Sequence, residues 1–270
     1  MRILVAEDNP ESRQLLIDLL RHGGHSAVGV CNGREALDAL EKDRFEVVFM
    51  DDQMPVMNGV EAAHAIRQKS VSRGKRPIIV GMSGNTAECD ERRCLDAGMD
   101  AFLPKPIGMA ELLAMLAVLA RRPAQAASVS PPCPNGDQPP ADLAAHLHRA
   151  TGGNQKIVRS LIKNFLAGTP QKLSVLRRLI AKGDGGGIAS AAHALKGSLG
   201  LFGAHRAVNA ARNLQKIGAS DSVGGAEQEF RIIEQEFVRL KREIAALPYA
   251  PKPKPRKAAA KRRNRTKRRR

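Results

Sequence analysis

The sequence is poor in aromatic residues, with no tryptophan, one tyrosine and aromatics at only 3% of its 270 positions. This scarcity argues against a β-sandwich, an aromatic-lined sugar site and single-strand nucleic-acid binding by base stacking. Long apolar runs are missing too. The longest candidate, residues 109–120, contains Glu111 and is too short to span a bilayer. The first residues turn acidic after four apolar positions, which predicts that no signal peptide is present.

Cysteine is also scarce, and its spacing is uninformative. The four cysteines, Cys31, Cys89, Cys94 and Cys133, form no CxxC motif and are too few for a disulfide-stapled scaffold. We therefore expect free thiols in a reducing cytoplasm. Hydrophobic residues make up 43% of the chain, which is enough for ordinary cores, and the length predicts about two domains.

The strong positive charge is confined to one segment. The formal net charge is +17, but residues 251–270 hold twelve lysines or arginines and no acid, which leaves +5 for the rest of the chain. The high isoelectric point therefore describes an appendage and not a folded domain.

Residues 1–122 alternate short apolar segments with amphipathic ones, which predicts an α/β domain. The expected fold is a doubly wound five-stranded parallel sheet covered by helices on both faces. The strands are predicted at 3–6, 27–30, 47–50, 78–80 and 101–103, and the helices at 10–22, 33–42, 57–69, 86–96 and 108–121.

The rest of the chain divides into a linker, a helical domain and a tail. Residues 123–140 include six prolines and predict a semi-extended linker. Residues 141–247 lack any strand signal and predict an all-α bundle, with helices at 141–149, 154–167, 170–182, 187–201, 204–217 and 223–246. Residues 248–270 predict a basic tail that is disordered alone.

Polar residues cluster at the carboxyl ends of the predicted strands, which share one edge of a parallel sheet, where such sheets bind ligands. They are Glu7, Asp8, Asp51, Asp52, Ser83 and Lys105. If the first and third strands are neighbours, two of the carboxylates, Asp8 and Asp51, converge. That is costly without a cation, and Mg²⁺ fits oxygen ligands. The alternative is a set of ordinary loop residues that cap helices, but capping does not require a lysine between two prolines.

Four segments carry a family resemblance: ILVAEDN, VVFMDDQMPVMNG, IIVGMSG and FLPKPI resemble, in order and spacing, a response-regulator receiver domain. The resemblance implies that Asp51 is the phosphoacceptor and that Asp8, Asp51 and the carbonyl of Gln53 bind Mg²⁺, with Glu7 acting through water. It also implies that Ser83 hydrogen-bonds the phosphoryl group, that Lys105 pairs with it, and that the Lys105–Pro106 bond is cis. Asp52 is an additional carboxylate, and strand alternation predicts that it points away.

One of the seven histidines, His193, stands out by its position on a predicted helix. Helical spacing puts it about 140° from Ile188 on the apolar face, hence facing outward, with Lys196 and Gly197 beside it. On spacing alone, a solvated histidine and lysine would be the simpler interpretation. The string AAHALKGSLGLFGA, however, resembles the phosphoacceptor helix of histidine phosphotransfer domains. This implies that His193 carries the phosphoryl group, that Lys196 stabilises it and that Gly197 gives access.

The two resemblances together predict a phosphorelay intermediate. No nucleotide-binding element is recognisable, so we expect a phosphoryl carrier and not a kinase, with a sensor or hybrid histidine kinase and a downstream response regulator as partners. The alternative is a nucleic-acid-binding protein switched by phosphorylation, in which residues 251–270 contact DNA or RNA without sequence preference. Transfer within one chain and transfer between chains are equally compatible with the sequence.

Overall fold

The computed structural model describes residues 1–70, 76–84, 88–120, 142–220 and 223–248. In these ranges a five-stranded α/β domain is followed by five further helices. The α/β elements are β1 (Arg2–Ala6), α1 (Pro10–His22), β2 (Ser26–Val30), α2 (Gly33–Lys42), β3 (Val47–Asp51), α3 (Gly59–Ser70), β4 (Ile78–Ser83), α4 (Glu88–Asp96), β5 (Ala101–Pro104) and α5 (Met109–Ala120). The helical domain comprises α6 (Leu143–Ala150), α7 (Gln155–Lys182), α8 (Gly185–Gly200), α9 (His205–Gly218) and α10 (Ala226–Ala246).

The sheet has the strand order β2-β1-β3-β4-β5, and every pairing in it is parallel. β1 and β3 are direct neighbours, with Ala6 opposite Met50. The acidic residues that follow these two positions therefore emerge side by side at one edge. The predicted fold class, an α/β doubly wound five-stranded sheet plus an all-α bundle, is confirmed.

Alternating strand residues form two apolar cores, because neighbouring side chains in a strand face opposite sides of the sheet. Leu4, Ala6, Val48 and Met50 pack beneath α2 and α3. The opposite residues pack beneath α1 and α5, and this second core continues without a break into the helical domain. The two domains are therefore joined by a shared apolar interface on the α1 side of the sheet.

Two details of the helical domain differ from the sequence prediction. The helices predicted at 154–167 and 170–182 are one helix, α7, with Pro170 inside it. A proline removes one backbone hydrogen bond, but both halves of α7 bury apolar residues, from Leu161 to Leu176, and this common packing keeps the helix continuous. Helix α8 begins at Gly185 and not at residue 187, because Asp184 caps it by accepting a hydrogen bond from the N–H of Gly187.

The predicted linker at 123–140 and the basic segment 251–270 lie outside the described residues, as does Cys133. Cys31 and Cys94 carry free thiols, as predicted. Within the described ranges, no helix combines the length and apolarity that a membrane crossing requires.

Candidate functional site

The carboxyl edge of the sheet brings together one lysine and several carboxylates. Lys105, directly after β5, places its Nζ 2.6 Å from Glu7 Oε2 and 2.7 Å from Asp51 Oδ2. Glu7 and Asp51 are 3% and 1% exposed, so this lysine faces two buried carboxyl groups. The Lys105–Pro106 peptide bond is cis, as predicted. Sequence analysis therefore identified the residues that meet here, and the β1–β3 pairing explains why they meet.

Burial makes Glu7 and Asp8 hard to ionise. Burial, reinforced by the charge of Asp51, raises the pKa of Glu7 to about 8, although Lys105 opposes the shift. The same two causes raise the pKa of Asp8 to about 6. Like charges crowded in a buried site favour any ligand that brings positive charge.

The donor set fits a hard divalent cation. Asp8 Oδ1 is buried and has no hydrogen-bond partner among the described residues. Gln53 follows Asp51 by two residues and lines the same cleft as Asp8. Its N–H approaches Asp51 Oδ1 at 3.5 Å. A set of carboxylate and carbonyl oxygens is the kind that Mg²⁺ prefers.

The prediction that Asp52 points away from the site is wrong. Its side chain is 4% exposed, and its Oδ2 accepts hydrogen bonds from Ser83 Oγ at 3.1 Å and from Arg93 Nη2 at 3.0 Å. Asp52 lies just beyond the last residue of β3, where strict strand alternation no longer applies. Burial and the neighbouring Asp51 raise its pKa to about 6.

The helical domain presents His193 to this same edge. Ile188 and Leu195 on α8 are fully buried, and His193 faces away from that core, as the helical spacing predicted. It is nevertheless half-buried and not exposed, because the α/β domain covers it. A ring nitrogen of His193 and carboxylate oxygens of Asp8 and Asp51 all lie within 4.8 Å of one another.

Two other residues of the helical domain, Gln215 and Lys196, lie near this histidine. The side-chain amide nitrogen of Gln215, on α9, lies 3.1 Å from Nδ1 of His193. With the amide flipped, its oxygen accepts from Nδ1–H and leaves Nε2 of the ring unprotonated and free to react. Sequence reasoning missed Gln215, since nothing in one helix reveals which residue of the next helix faces it. Lys196 approaches the α/β domain at Gly84, where a side-chain carbon would lie 3.4 Å from its Nζ.

Electrostatics keep His193 neutral. Burial, followed by the charge of Lys196, lowers the pKa of His193 to about 4. Burial also lowers the pKa of Lys196, although the nearby charges of Asp52 and Asp51 oppose that shift. At pH 7 the imidazole therefore has an unprotonated ring nitrogen, which is the form that can act as a nucleophile.

A cavity of about 100 Å³ separates the two domains at this point. Asp51, Lys105, His193 and Lys196 line it together with apolar residues of α1 and α8. One water fills roughly 10–15 Å³ of such a cavity, so there is room for a small anion between the carboxylate and the imidazole.

Because Glu7 is buried, we expect the free energy of unfolding to depend on pH, and we expect Mg²⁺ to remove this dependence. A carboxyl group with a raised folded-state pKa holds its proton longer in the folded state, so stability falls as pH rises toward that pKa. For Glu7, with a pKa of about 8, the free energy of unfolding should fall by about 1 kcal/mol between pH 7 and pH 9 in EDTA. His193 opposes this fall only slightly, because it is neutral in the folded state and only about a quarter protonated at pH 7 in the unfolded state. Urea unfolding of the wild type and of Glu7→Gln at both pH values checks this. If the free energy of unfolding fell equally with pH in the two proteins, the prediction would be contradicted.

The site thus joins a parallel α/β domain with a buried acidic centre to a helical domain with a half-buried histidine. Residues 3–117 match the family model of the response regulator receiver domain, and residues 160–249 match that of the Hpt domain. The chain therefore carries a receiver domain followed by an Hpt domain, the domain types of two-component phosphorelay signalling.

Several curated proteins are similar to the chain. The virulence sensor protein BvgS of Bordetella bronchiseptica is 29% identical over 80% of the chain, and hybrid signal transduction histidine kinase A of Dictyostelium discoideum is 39% identical over 43% of it. The chain covers 18% and 6% of the lengths of these two relatives.

Two solved structures are similar to the α/β part of the chain. One is the receiver domain of sensor histidine kinase PA1611 of Pseudomonas aeruginosa with a magnesium ion in its active-site cleft. It is 33% identical, with a TM-score of 0.41, over 44% of this chain and 95% of that one. The other belongs to the co-crystal structure of Saccharomyces cerevisiae Ypd1 and the receiver domain of Ssk1. It is 29% identical, with a TM-score of 0.42, and the match covers 43% of this chain and 86% of that one.

Proposed function

We propose that the chain is a phosphorelay intermediate in which Asp51 accepts a phosphoryl group and exchanges it with His193 of the same chain. The observation that carries this proposal is the proximity of a His193 ring nitrogen to the carboxylates of Asp8 and Asp51, within 4.8 Å. One phosphorus atom fits between an attacking nitrogen and a leaving oxygen at such a separation, as an in-line transfer requires.

In the first step an oxygen of Asp51 attacks the phosphorus of a donor, and the donor leaves with the electron pair of the broken bond. Lys105 offsets the charge of the attacking carboxylate at 2.7 Å. Mg²⁺ held by Asp8, Asp51 and the Gln53 carbonyl, with Glu7 acting through water, would neutralise the phosphoryl oxygens. Ser83, which donates to Asp52 in this structure, would turn its hydroxyl to a phosphoryl oxygen.

In the second step Nε2 of His193 attacks the phosphorus, and the bond to the Asp51 oxygen breaks. The electron pair returns to the carboxylate, and the imidazole keeps its proton on Nδ1. The amide of Gln215 can accept that proton's hydrogen bond when its oxygen faces Nδ1. Lys196, which lines the same cavity, offsets charge on the moving group. The reaction is reversible.

The donor and the final acceptor are other proteins in this proposal. A sensor or hybrid histidine kinase would phosphorylate Asp51, and the aspartate of a downstream regulator would exchange with His193. We take the receiver as residues 1–122 and the phosphotransfer domain as 141–247, joined by 123–140. The nucleic-acid alternative finds no support in the family matches or in the described residues.

Labelling of the full-length protein with acetyl phosphate and Mg²⁺ tests the proposal. We expect an alkali-labile phosphoryl group on Asp51 and an alkali-stable one on His193. Because both groups belong to one chain, the rate of His193 labelling should not change over a tenfold range of protein concentration. A rate proportional to protein concentration would show transfer between chains. The absence of label on His193 would overturn the proposal.

A further inference from the structure

The interface between the two domains contains a buried polar cluster beside the reaction site. Glu11, in the first turn of α1, accepts a hydrogen bond from Lys172 Nζ of α7 at 2.5 Å. The same Nζ donates to Ser198 Oγ of α8 at 2.7 Å. We call these three residues the latch. Glu11 is 4% exposed and Ser198 is fully buried, so the ion pair is removed from solvent only by docking of the domains.

A second contact from the receiver extends this cluster. Asn9 caps α1 with its side-chain oxygen, and its Nδ2 donates to Ala194 O at 2.7 Å and to Ser198 Oγ at 3.1 Å. Asn9 directly follows Glu7 and Asp8, and Ala194 directly follows His193. These contacts thus connect the latch to residues next to both the acidic site and the acceptor histidine.

Two glycines of the Hpt domain make room for this cluster. A side-chain carbon at Gly168, within α7, would lie 2.5 Å from Glu11 Oε1. One at Gly197, within α8, would lie 3.0 Å from Asn9 Nδ2. Glycine inside a helix is unfavourable by itself, so its presence at both positions is explained by the receiver side chains that pack there.

We propose that the latch is the specificity determinant that selects which receivers dock on His193, the receiver of its own chain among them. The proposal rests on the proposed exchange between Asp51 and His193. A docked receiver without an acid at the position of Glu11 would bury Lys172 unpaired, which strongly disfavours docking. The partner that this Hpt surface accepts is therefore a receiver with a carboxylate one residue after the first residue of α1. Its own receiver meets that requirement and covers His193 while it is docked, and a downstream regulator that meets the same requirement takes its place when it undocks.

Charge reversal within one chain tests the latch. Glu11→Lys and Lys172→Glu should each slow His193 labelling, relative to Asp51 labelling, by at least about 100-fold, because each leaves two like charges facing each other. The double variant restores an ion pair with its signs exchanged and should recover most of the rate. Lys163→Glu, an exposed position on the same helix, is the matched control and should label like the wild type.

Phosphoryl transfer from one variant chain to another distinguishes a specificity determinant from a general loss of structure. The donor chain carries His193→Gln and Lys172→Glu and keeps Glu11. The acceptor chain carries Asp51→Asn and Glu11→Lys and keeps Lys172. Because neither chain can latch internally, transfer from donor to acceptor should be at least tenfold faster than transfer between chains with only His193→Gln and Asp51→Asn. A defect that only damages the site cannot produce such a gain, and a donor that also carries Glu11→Gln, which cannot form the ion pair with Lys172, should not show it.

The outcomes separate the latch from the proposed function. If the wild type labels His193 but both charge reversals label it equally well, the latch proposal is wrong and the phosphorelay proposal stands. If both reversals slow labelling but neither the double variant nor the mixed chains recover it, the latch is not a specificity determinant. If the wild type places no label on His193, the proposed function itself fails.

Discussion

Replacement of Asp51 by asparagine is expected to reduce acetyl-phosphate labelling of both domains to background. The substitution keeps the shape of the side chain and removes the nucleophilic oxygen together with one ligand for Mg²⁺. His193 loses its label as well, because in our proposal it receives the phosphoryl group only from Asp51. Phosphosite mapping under conditions that preserve acyl phosphate and phosphohistidine measures both losses.

Asp52→Asn is the matched control for this result. Asp52 is the adjacent residue and is also a buried aspartate, and its Oδ2 accepts hydrogen bonds from Ser83 and Arg93. An asparagine retains one oxygen for these donors, so labelling at Asp51 should persist. Folding of the Asp51→Asn protein should persist too, because Lys105 keeps its ion pair with Glu7. Undiminished label in Asp51→Asn, or its loss only in Asp52→Asn, would move the acceptor to Asp52.

Replacement of His193 by glutamine is expected to separate the two steps. Asp51 should still be labelled, and the alkali-stable label of the Hpt domain should disappear, because glutamine has no nucleophilic ring nitrogen. The acyl phosphate on Asp51 should also last longer in this variant, since its route to the histidine is closed. Chase experiments after removal of acetyl phosphate measure that lifetime.

Stability and a second histidine serve as controls for the His193 variant. His193 faces away from the core of its own domain, so the thermal unfolding midpoint should change little. His205→Gln alters an exposed histidine at the start of α9 and should leave all labelling intact. Alkali-stable label that remained in His193→Gln would place the phosphohistidine elsewhere. A protein unfolded by this substitution would make His193 a core residue and contradict its assignment.

The sequence predicted well which residues of the receiver lie together, because that grouping depends on local position. Each strand of a parallel sheet ends at the same edge, so residues such as Asp8, Asp51 and Lys105 could be grouped from strand endings alone. Helical periodicity likewise put His193 on the outer side of α8. Local rules failed where local geometry changes, as at Asp52 beyond the end of β3 and at Pro170 within the continuous helix α7.

The sequence by itself determined the folds of the two domains, the acidic edge of the receiver sheet and the position of His193 on its helix. It could do so because periodicity and strand endings are encoded in neighbouring residues. Only the tertiary structure decided that Gln215 lies beside His193, that Glu11 pairs with Lys172 and that His193 is covered by the receiver. These contacts join residues far apart in the chain, from 22 positions for the first pair to 161 for the second. Such contacts depend on how whole surfaces pack, and no local sequence pattern specifies that packing.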